Sequence, residues 1–173
     1  MKCWKIALGL MLGGLWNNAQ AVTVEMHSID DDGVGQAIGT VELADHAGGL
    51  LLTPDLQGLP PGARGFHLHE YPRCEPGEDQ GHGKAGMAAG GPYDPHETGR
   101  HEGPYGDGYL GNLPILYVRA DGSATDPVLA PRLTLDDVPG LSLVVYEGGD
   151  NYSDDPEPNG GGGTRIACGV IPE

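Results

Sequence analysis

The stretch Gly65-Phe66-His67-Leu68-His69-Glu70 alternates apolar residues with two histidines. A period of two is typical of a β-strand, in which every second side chain points to the same face. His67 and His69 are therefore expected on one face, where both rings could chelate a single metal ion. The alternative is a pair of inward imidazoles satisfied by hydrogen bonds within the protein, with no metal.

Other short segments on both sides of this stretch also read as strands. Residues 22–27 and 37–43 alternate apolar and polar side chains, and further strands are predicted at 49–56, 113–120, 141–146 and 165–171. The 31 glycines and 15 prolines separate these segments, and helix signals are almost absent. Many short strands joined by turn residues predict an all-β antiparallel sandwich or barrel.

Two long stretches interrupt the strand pattern. Residues 71–112 and 147–163 are rich in glycine, proline and acidic residues, and the second ends in four consecutive glycines. Loops of this length in a compact domain are functional or disordered. Cys74 would tie the first loop to the last strand, which favours order.

The N-terminal residues resemble a targeting segment. Lys2 and Lys5 precede an uncharged apolar run over 6–16, and Ala19 and Ala21 form a small-residue cleavage pattern. The run is too short for a membrane span, which needs roughly 20 apolar residues. We expect a signal peptide at 1–21, a single domain at 22–173 and a periplasmic or secreted location.

The mature chain is strongly acidic. Without Lys2 and Lys5, seven Lys and Arg face 25 Asp and Glu, a net charge near −18. This balance excludes nucleic acid, which needs clustered basic residues, and it argues against a membrane partner after cleavage. A homodimer is left open as an assembly, and no motif identifies a protein partner.

Two cysteines, Cys74 and Cys168, remain after cleavage. In an oxidising compartment an even count most simply forms a disulfide. Closing so long a loop would stabilise the fold by about 4–5 kcal/mol on the chain-entropy model.

Five motifs occurring in one order add a family resemblance. They are 65–70, Ala89-Gly90-Gly91-Pro92-Tyr93-Asp94-Pro95, Gly103-Pro104-Tyr105-Gly106-Asp107-Gly108, Gly148-Gly149-Asp150-Asn151 and Gly163-Thr164-Arg165-Ile166-Ala167-Cys168-Gly169-Val170-Ile171. Together they resemble the bacterial exported branch of the copper–zinc superoxide dismutases. The resemblance implies an eight-stranded Greek-key barrel with two long loops and one disulfide between Cys74 and Cys168.

The resemblance also assigns the metal positions one by one. His67 and His69 match two copper histidines, whereas Tyr146 stands at another copper position and Pro92 at the position of the histidine that bridges both metals. The other zinc positions hold His101, Tyr109 and Asn112, so only His101 is retained there.

Two further residues match the family's supporting groups. Asp150 stands where a carboxylate orients a copper histidine and a zinc histidine, here His67 and His101. Arg165 matches the guanidinium that guides superoxide to copper and would be the catalytic residue of an active enzyme.

These replacements predict an exported dismutase-like protein without efficient dismutase activity, a non-catalytic relative or interaction module. Copper is the expected cofactor if any, and zinc is not expected at the family site. The alternative is a copper-binding protein with a rebuilt site at His67 and His69, joined by Tyr146 or His101, with residual superoxide dismutation. Loop residues His82 and His96 are further candidate ligands, and the phenols leave ferric iron as a third alternative.

Overall fold

A computed structural model of the chain describes residues 20–79 and 82–173. The predicted signal peptide lies outside the described residues except for its last two, so its cleavage stays a prediction. Among the described residues no helix is long and apolar enough to cross a membrane.

The described residues form β-strands, three short 3₁₀ helices and no α-helix. The strands are β1 (Ala21–Asp30), β2 (Gly33–His46), β3 (Gly49–Leu56), β4 (Gly62–Arg64), β5 (Phe66–His69), β6 (Gly77–Asp79), β7 (His82–Lys84), β8 (Leu116–Val118), β9 (Val128–Ala130), β10 (Ser142–Tyr146) and β11 (Arg165–Val170). The 3₁₀ helices are Met87–Ala89, Leu135–Asp137 and Pro158–Gly161.

Seven of these strands form one antiparallel sheet in the order β5-β10-β11-β1-β2-β3-β9. β4 pairs with β8, and β6 pairs with β7 inside the first long loop. The all-β antiparallel class predicted from the sequence is confirmed. β4 and β9 have three residues each, too few for an alternating pattern to reveal them.

The core lies on one face of the curled sheet. Val24 and Met26 of β1 and Leu50 and Leu52 of β3 are fully buried there, whereas the residues between them, Glu25 and Leu51, are more exposed. This alternation is what a strand with one buried face requires.

Strand β10 differs because every one of its residues is buried. Leu143 and Val145 join the main core, while Val144 and Tyr146 pack on the opposite face against the Cys74–Cys168 disulfide. The first long loop therefore covers the outer face of β10. Strand β10 would otherwise expose that face to water.

The disulfide joins Cys74 in this loop to Cys168 in β11, with the two Cα atoms 5.6 Å apart. The predicted pairing is confirmed. It closes a sequence separation of 94 residues and fixes the loop over the sheet.

Candidate metal centre

The centre forms where the first loop returns to the edge strand β5. Leu68 donates its N–H to the Gly111 carbonyl at 2.8 Å, and Tyr93 donates to the Leu68 carbonyl at 2.9 Å. Backbone bridges set Asn112 beside His67 and Pro92 beside His69. The loop residues that face the histidines are thus positioned by main-chain hydrogen bonds.

A single carboxylate connects His67 to His101. His67 Nε2 donates to Asp150 Oδ2 at 2.7 Å, and His101 Nε2 donates to Asp150 Oδ1 at 2.6 Å. Both side chains and the carboxylate are buried, at 0%, 0% and 1% exposed. The Nδ1 atom of each ring is also buried and has no hydrogen-bond partner.

These three residues could offer ligand atoms within 4.8 Å of one another to a metal ion. The short hydrogen bonds already occupy the Nε2 atoms and the carboxylate, however. The lone pairs left over for a metal are those on Nδ1. Asp150 therefore orients the two rings and is not itself a candidate ligand.

The charges of this cluster follow from burial and hydrogen bonding. Burial would raise the pKa of Asp150, but the hydrogen bonds from His101 and His67 lower it below its usual value. Burial lowers the pKa of His67, and Asp150 only partly offsets that effect. For His101, burial is outweighed by Asp150, Asn112 and Asp154, and its pKa is raised.

His69 is held from both sides. Its Nδ1 donates to the Gly90 carbonyl at 3.0 Å, and the Tyr146 hydroxyl donates to Nε2 at 2.9 Å. Burial, followed by the charge of Arg165, lowers the pKa of His69 well below its usual value. The ring is neutral at neutral pH, with the Nε2 lone pair directed at the phenol.

Burial raises the pKa of Tyr146, although Arg165 opposes that shift. The phenol therefore keeps its proton at neutral pH. A metal at His69 Nε2 would have to displace this hydrogen bond, and the phenol oxygen would then be available as a further ligand.

Arg165 lies at the mouth of the centre. It donates to the carbonyls of Gly86 at 2.6 Å and Gly90 at 2.9 Å. A cavity of about 490 Å³ opens beside it, lined by Arg165 and Tyr146 together with Lys84, Met87 and Thr164. The cavity therefore reaches Tyr146, whose hydroxyl is hydrogen-bonded to His69.

The opposite side of the centre contains His101 and Asn112. The amide oxygen and the amide nitrogen of Asn112 are buried without a partner. The Tyr109 phenol is partly buried, and burial followed by nearby Asp154 and Asp94 raises its pKa. Pro92 lies beside His69 and has no donor atom to offer.

The second long loop supports Asp150 from behind. The Tyr152 N–H donates to Asp150 Oδ1 at 2.7 Å. Gly160 adopts a positive φ of 73°, and a Cβ built on it would lie 2.0 Å from Asp150 Oδ1 and 2.9 Å from His101 Nε2. Glycine at this position leaves room for the carboxylate bridge.

The structure brings together most of the site residues predicted from the sequence. His67, His69, His101, Tyr146, Asp150 and Arg165 form one cluster, flanked by Pro92 and Asn112. His96 lies exposed in the loop, and the His82 side chain lies outside the described part of the chain. Their roles as metal ligands stay predictions.

Sequence reasoning missed two parts of this centre. The Gly90 carbonyl accepts from both His69 and Arg165, and a backbone acceptor carries no side-chain signal in a sequence. Lys84 also lines the cavity, although its position far from Arg165 in the chain gave no indication of this.

Comparisons with known proteins agree with this arrangement. The model of the copper/zinc superoxide dismutase family matches residues 37–171. "Superoxide dismutase [Cu-Zn] 2" from Salmonella typhimurium is 49% identical over 172 residues, covering 99% of both chains. The solved Cu/Zn superoxide dismutase from Brucella abortus is 48% identical, with a TM-score of 0.86 over 88% of this chain and 99% of that chain.

A more distant similarity is to a SOD-like protein from Bacillus subtilis, solved as a double mutant in which a tyrosine and a proline are changed to histidine. It is 26% identical, with a TM-score of 0.68 over 87% of this chain and 97% of that chain.

The relatives contradict the prediction of a protein without efficient dismutase activity. Proteins about half identical over the whole chain are named Cu-Zn superoxide dismutases. The prediction was wrong because it weighed four replaced positions above the whole-chain similarity. The interaction-module hypothesis is overturned for the same reason.

Proposed function

Because the chain belongs to the copper/zinc superoxide dismutase family, we propose that it converts two superoxide anions and two protons into oxygen and hydrogen peroxide. His67 and His69 would hold the copper ion that this reaction requires. The observation that carries this proposal is the buried Nδ1 of His67, which has no hydrogen-bond partner. Burying a lone pair without a partner is unfavourable, and a metal ion bound to Nδ1 would supply the missing partner.

The donor atoms on this side fit copper. His67 offers Nδ1, His69 offers Nε2, and Tyr146 offers its phenol oxygen next to Nε2. Imidazole is a ligand that suits copper. When bound, copper would supply one-electron chemistry, because it can accept an electron from one superoxide and return one to the next.

The donor atoms on the other side do not fit zinc. Zinc in proteins is bound by thiolates, imidazoles and carboxylates, usually four of them. Of the four positions that the resemblance assigns to zinc, only His101 supplies such a ligand. We therefore propose that the family's metal ligands are replaced at Pro92, Tyr109, Asn112 and Tyr146, and that copper acts without a zinc partner.

The chain's own residues prepare the copper side. Asp150 fixes the His67 ring so that Nδ1 faces inward, and Gly90 fixes the tautomer of His69 so that Nε2 carries the lone pair. Arg165, with Lys84 at the cavity rim, supplies positive charge where a small anion would enter. This local charge opposes the repulsion that the acidic protein exerts on superoxide.

Export completes the proposal. The signal-like residues 1–21 and the Cys74–Cys168 disulfide both favour a periplasmic or secreted location. The acidic surface favours neither nucleic acid nor an anionic membrane as a partner.

The test is superoxide decay followed by stopped-flow absorbance while metal-stripped protein is titrated with copper. A chelator buffer must set a known, low concentration of free copper at each step, because the aqueous ion also consumes superoxide. We expect activity that saturates at one copper per chain and disappears in His67→Ala. Decay that never exceeds the buffered-copper blank would overturn the proposal.

Arg165→Ala provides the second arm of this test. We expect a rate about tenfold lower and less dependent on ionic strength, since electrostatic steering accelerates association by 10-fold or more. Arg119→Ala is the matched control, because Arg119 pairs with Asp126 on the exposed surface. An equal loss in both variants would remove Arg165 from the mechanism.

A further inference from the structure

We infer that the buried polar atoms of His101 and Asn112, which define a polar pocket, bind a water molecule in place of the family's second metal ion. The first loop then keeps its shape through hydrogen bonds alone. This inference does not depend on copper or on dismutase activity.

The pocket is lined by buried polar atoms without partners. His101 is 3% exposed and Asn112 is 2% exposed. Asn112 lies close enough to His101 to raise its pKa, yet the His101 Nδ1 and both amide atoms of Asn112 make no hydrogen bond of normal geometry within the protein. Leaving such groups buried and unpaired is unfavourable, so an occupant is expected.

The chemistry of Asn112 selects the occupant. Its amide presents a carbonyl oxygen that accepts hydrogen bonds and an NH₂ group that donates them, and exchanging the two by an amide flip leaves this mixture unchanged. A cation could bind the oxygen but would leave the NH₂ group unpaired. Water both donates and accepts, and three partners match what buried waters usually have.

The neighbours of the pocket offer a metal little else. Pro92 has no donor atom, and the raised pKa of Tyr109 keeps its phenol protonated. The Asp150 carboxylate already accepts hydrogen bonds from His67, His101 and the Tyr152 N–H. A divalent ion would therefore be held by one imidazole and one amide oxygen.

The surrounding backbone needs no metal to keep its course. Tyr109 donates its N–H to the Arg100 carbonyl at 2.8 Å, and the His101 N–H donates to Asp154 Oδ2 at 2.7 Å. Arg132 donates to the Gly108 carbonyl at 2.9 Å. The order of this loop should therefore not be linked to zinc concentration, since only a ligand that binds the folded state raises its stability.

The direct experiment is a crystal structure from zinc-containing solution, with diffraction data collected above and below the zinc absorption edge. We expect a peak at a hydrogen-bond distance of about 2.7–3.2 Å from His101 Nδ1 and Asn112, with no zinc anomalous signal. A zinc signal about 2.0–2.1 Å from Nδ1 would overturn the inference. A pocket without any peak would overturn it equally.

A solution experiment gives an independent readout. The Tm of the wild-type protein should be the same with EDTA and with one equivalent of zinc. The double variant Asn112→Asp/Tyr109→His adds two zinc ligands beside His101 and should gain Tm with zinc. His96→Gln serves as the control for zinc bound by an exposed histidine. A wild-type Tm that rises with zinc and no longer does so in His101→Gln would contradict the inference.

Discussion

The two sides of the centre share one carboxylate and yet differ in charge. His67 and His101 both donate to Asp150 at almost equal distances, but the pKa of His67 is lowered and that of His101 is raised. Full burial and the positive charges of His101 and Arg165 lower the pKa of His67. Asn112 and Asp154 instead help to raise the pKa of His101. The environment beyond the shared carboxylate therefore shifts the pKa values of the two rings in opposite directions.

The largest expected effect comes from removing what the two sides share. Asp150→Ala leaves two buried imidazoles without their acceptor, and breaking a buried pair in this way costs about 3–5 kcal/mol. We expect a loss of this size in the free energy of unfolding, measured by urea denaturation of the metal-stripped protein. The control Asp155→Ala, an exposed loop carboxylate, should change it by less than about 0.5 kcal/mol. Equal effects would show that the carboxylate does not join the two sides.

The next largest effect is a difference in copper affinity between variants of His67 and of His101. His67→Ala removes a proposed ligand and should weaken copper binding more than about 100-fold. His101→Ala acts only through Asp150 and should weaken it by about 10-fold, the lower end for residues that orient a ligand. Competition with a chelator of known affinity measures both. If His101→Ala weakened copper binding more than His67→Ala, copper would bind on the His101 side and the prediction would be wrong.

A smaller effect is expected at the Tyr146–His69 hydrogen bond. Tyr146→Phe leaves the buried Nε2 of His69 without a donor and should lower the free energy of unfolding by about 1–2 kcal/mol without metal. Tyr117→Phe alters a tyrosine that is 57% exposed and should be neutral. Thermal denaturation of the metal-stripped variants provides the comparison, and an unchanged Tyr146→Phe protein would mean that the bond contributes nothing.

The smallest expected effect is the pH dependence of stability, and its sign differs between His69 on one side and His101 on the other. The lowered pKa of His69 contributes stability above the ordinary value of 6.5, which is lost as the pH falls below it. The raised pKa of His101 contributes stability below 6.5, which is lost as the pH rises through the folded-state value. Nitrogen NMR of the imidazole rings should give a midpoint above 6.5 for His101 and below 6.5 for His69. Titration midpoints of His101 and His69 that both lie above or both lie below 6.5 would contradict this prediction.

The sequence predicted the all-β class and most strands because alternation is a local property. It also predicted the Cys74–Cys168 pair, since only two cysteines remain if the predicted signal peptide is removed. The hydrogen bond from His67 to Asp150 spans 83 residues, and no local pattern contains it. That contact was available only through the family resemblance.

Activity was the property that residue-by-residue reasoning misjudged. Pro92 and Tyr146 were interpreted as replaced ligands, but two residue types do not indicate how much of the remaining centre is kept. The orphaned Nδ1 of His67 and the Gly90 carbonyl beneath His69 are visible only in three dimensions. Residue types alone therefore do not indicate whether an atom is buried or where its lone pair points.

The close packing around Gly160 limits which amino-acid substitutions the second long loop can accept. Any side chain there would overlap the Asp150 carboxylate, so every substitution should be selected against in a complete mutational scan. Gly163 also has a positive φ, of 71°, but a Cβ on it would meet nothing within 4 Å. Asparagine, which accepts this backbone conformation more readily than other residues, should be tolerated at 163 and rejected at 160. Two glycines three positions apart in one loop should thus differ sharply in their evolutionary freedom.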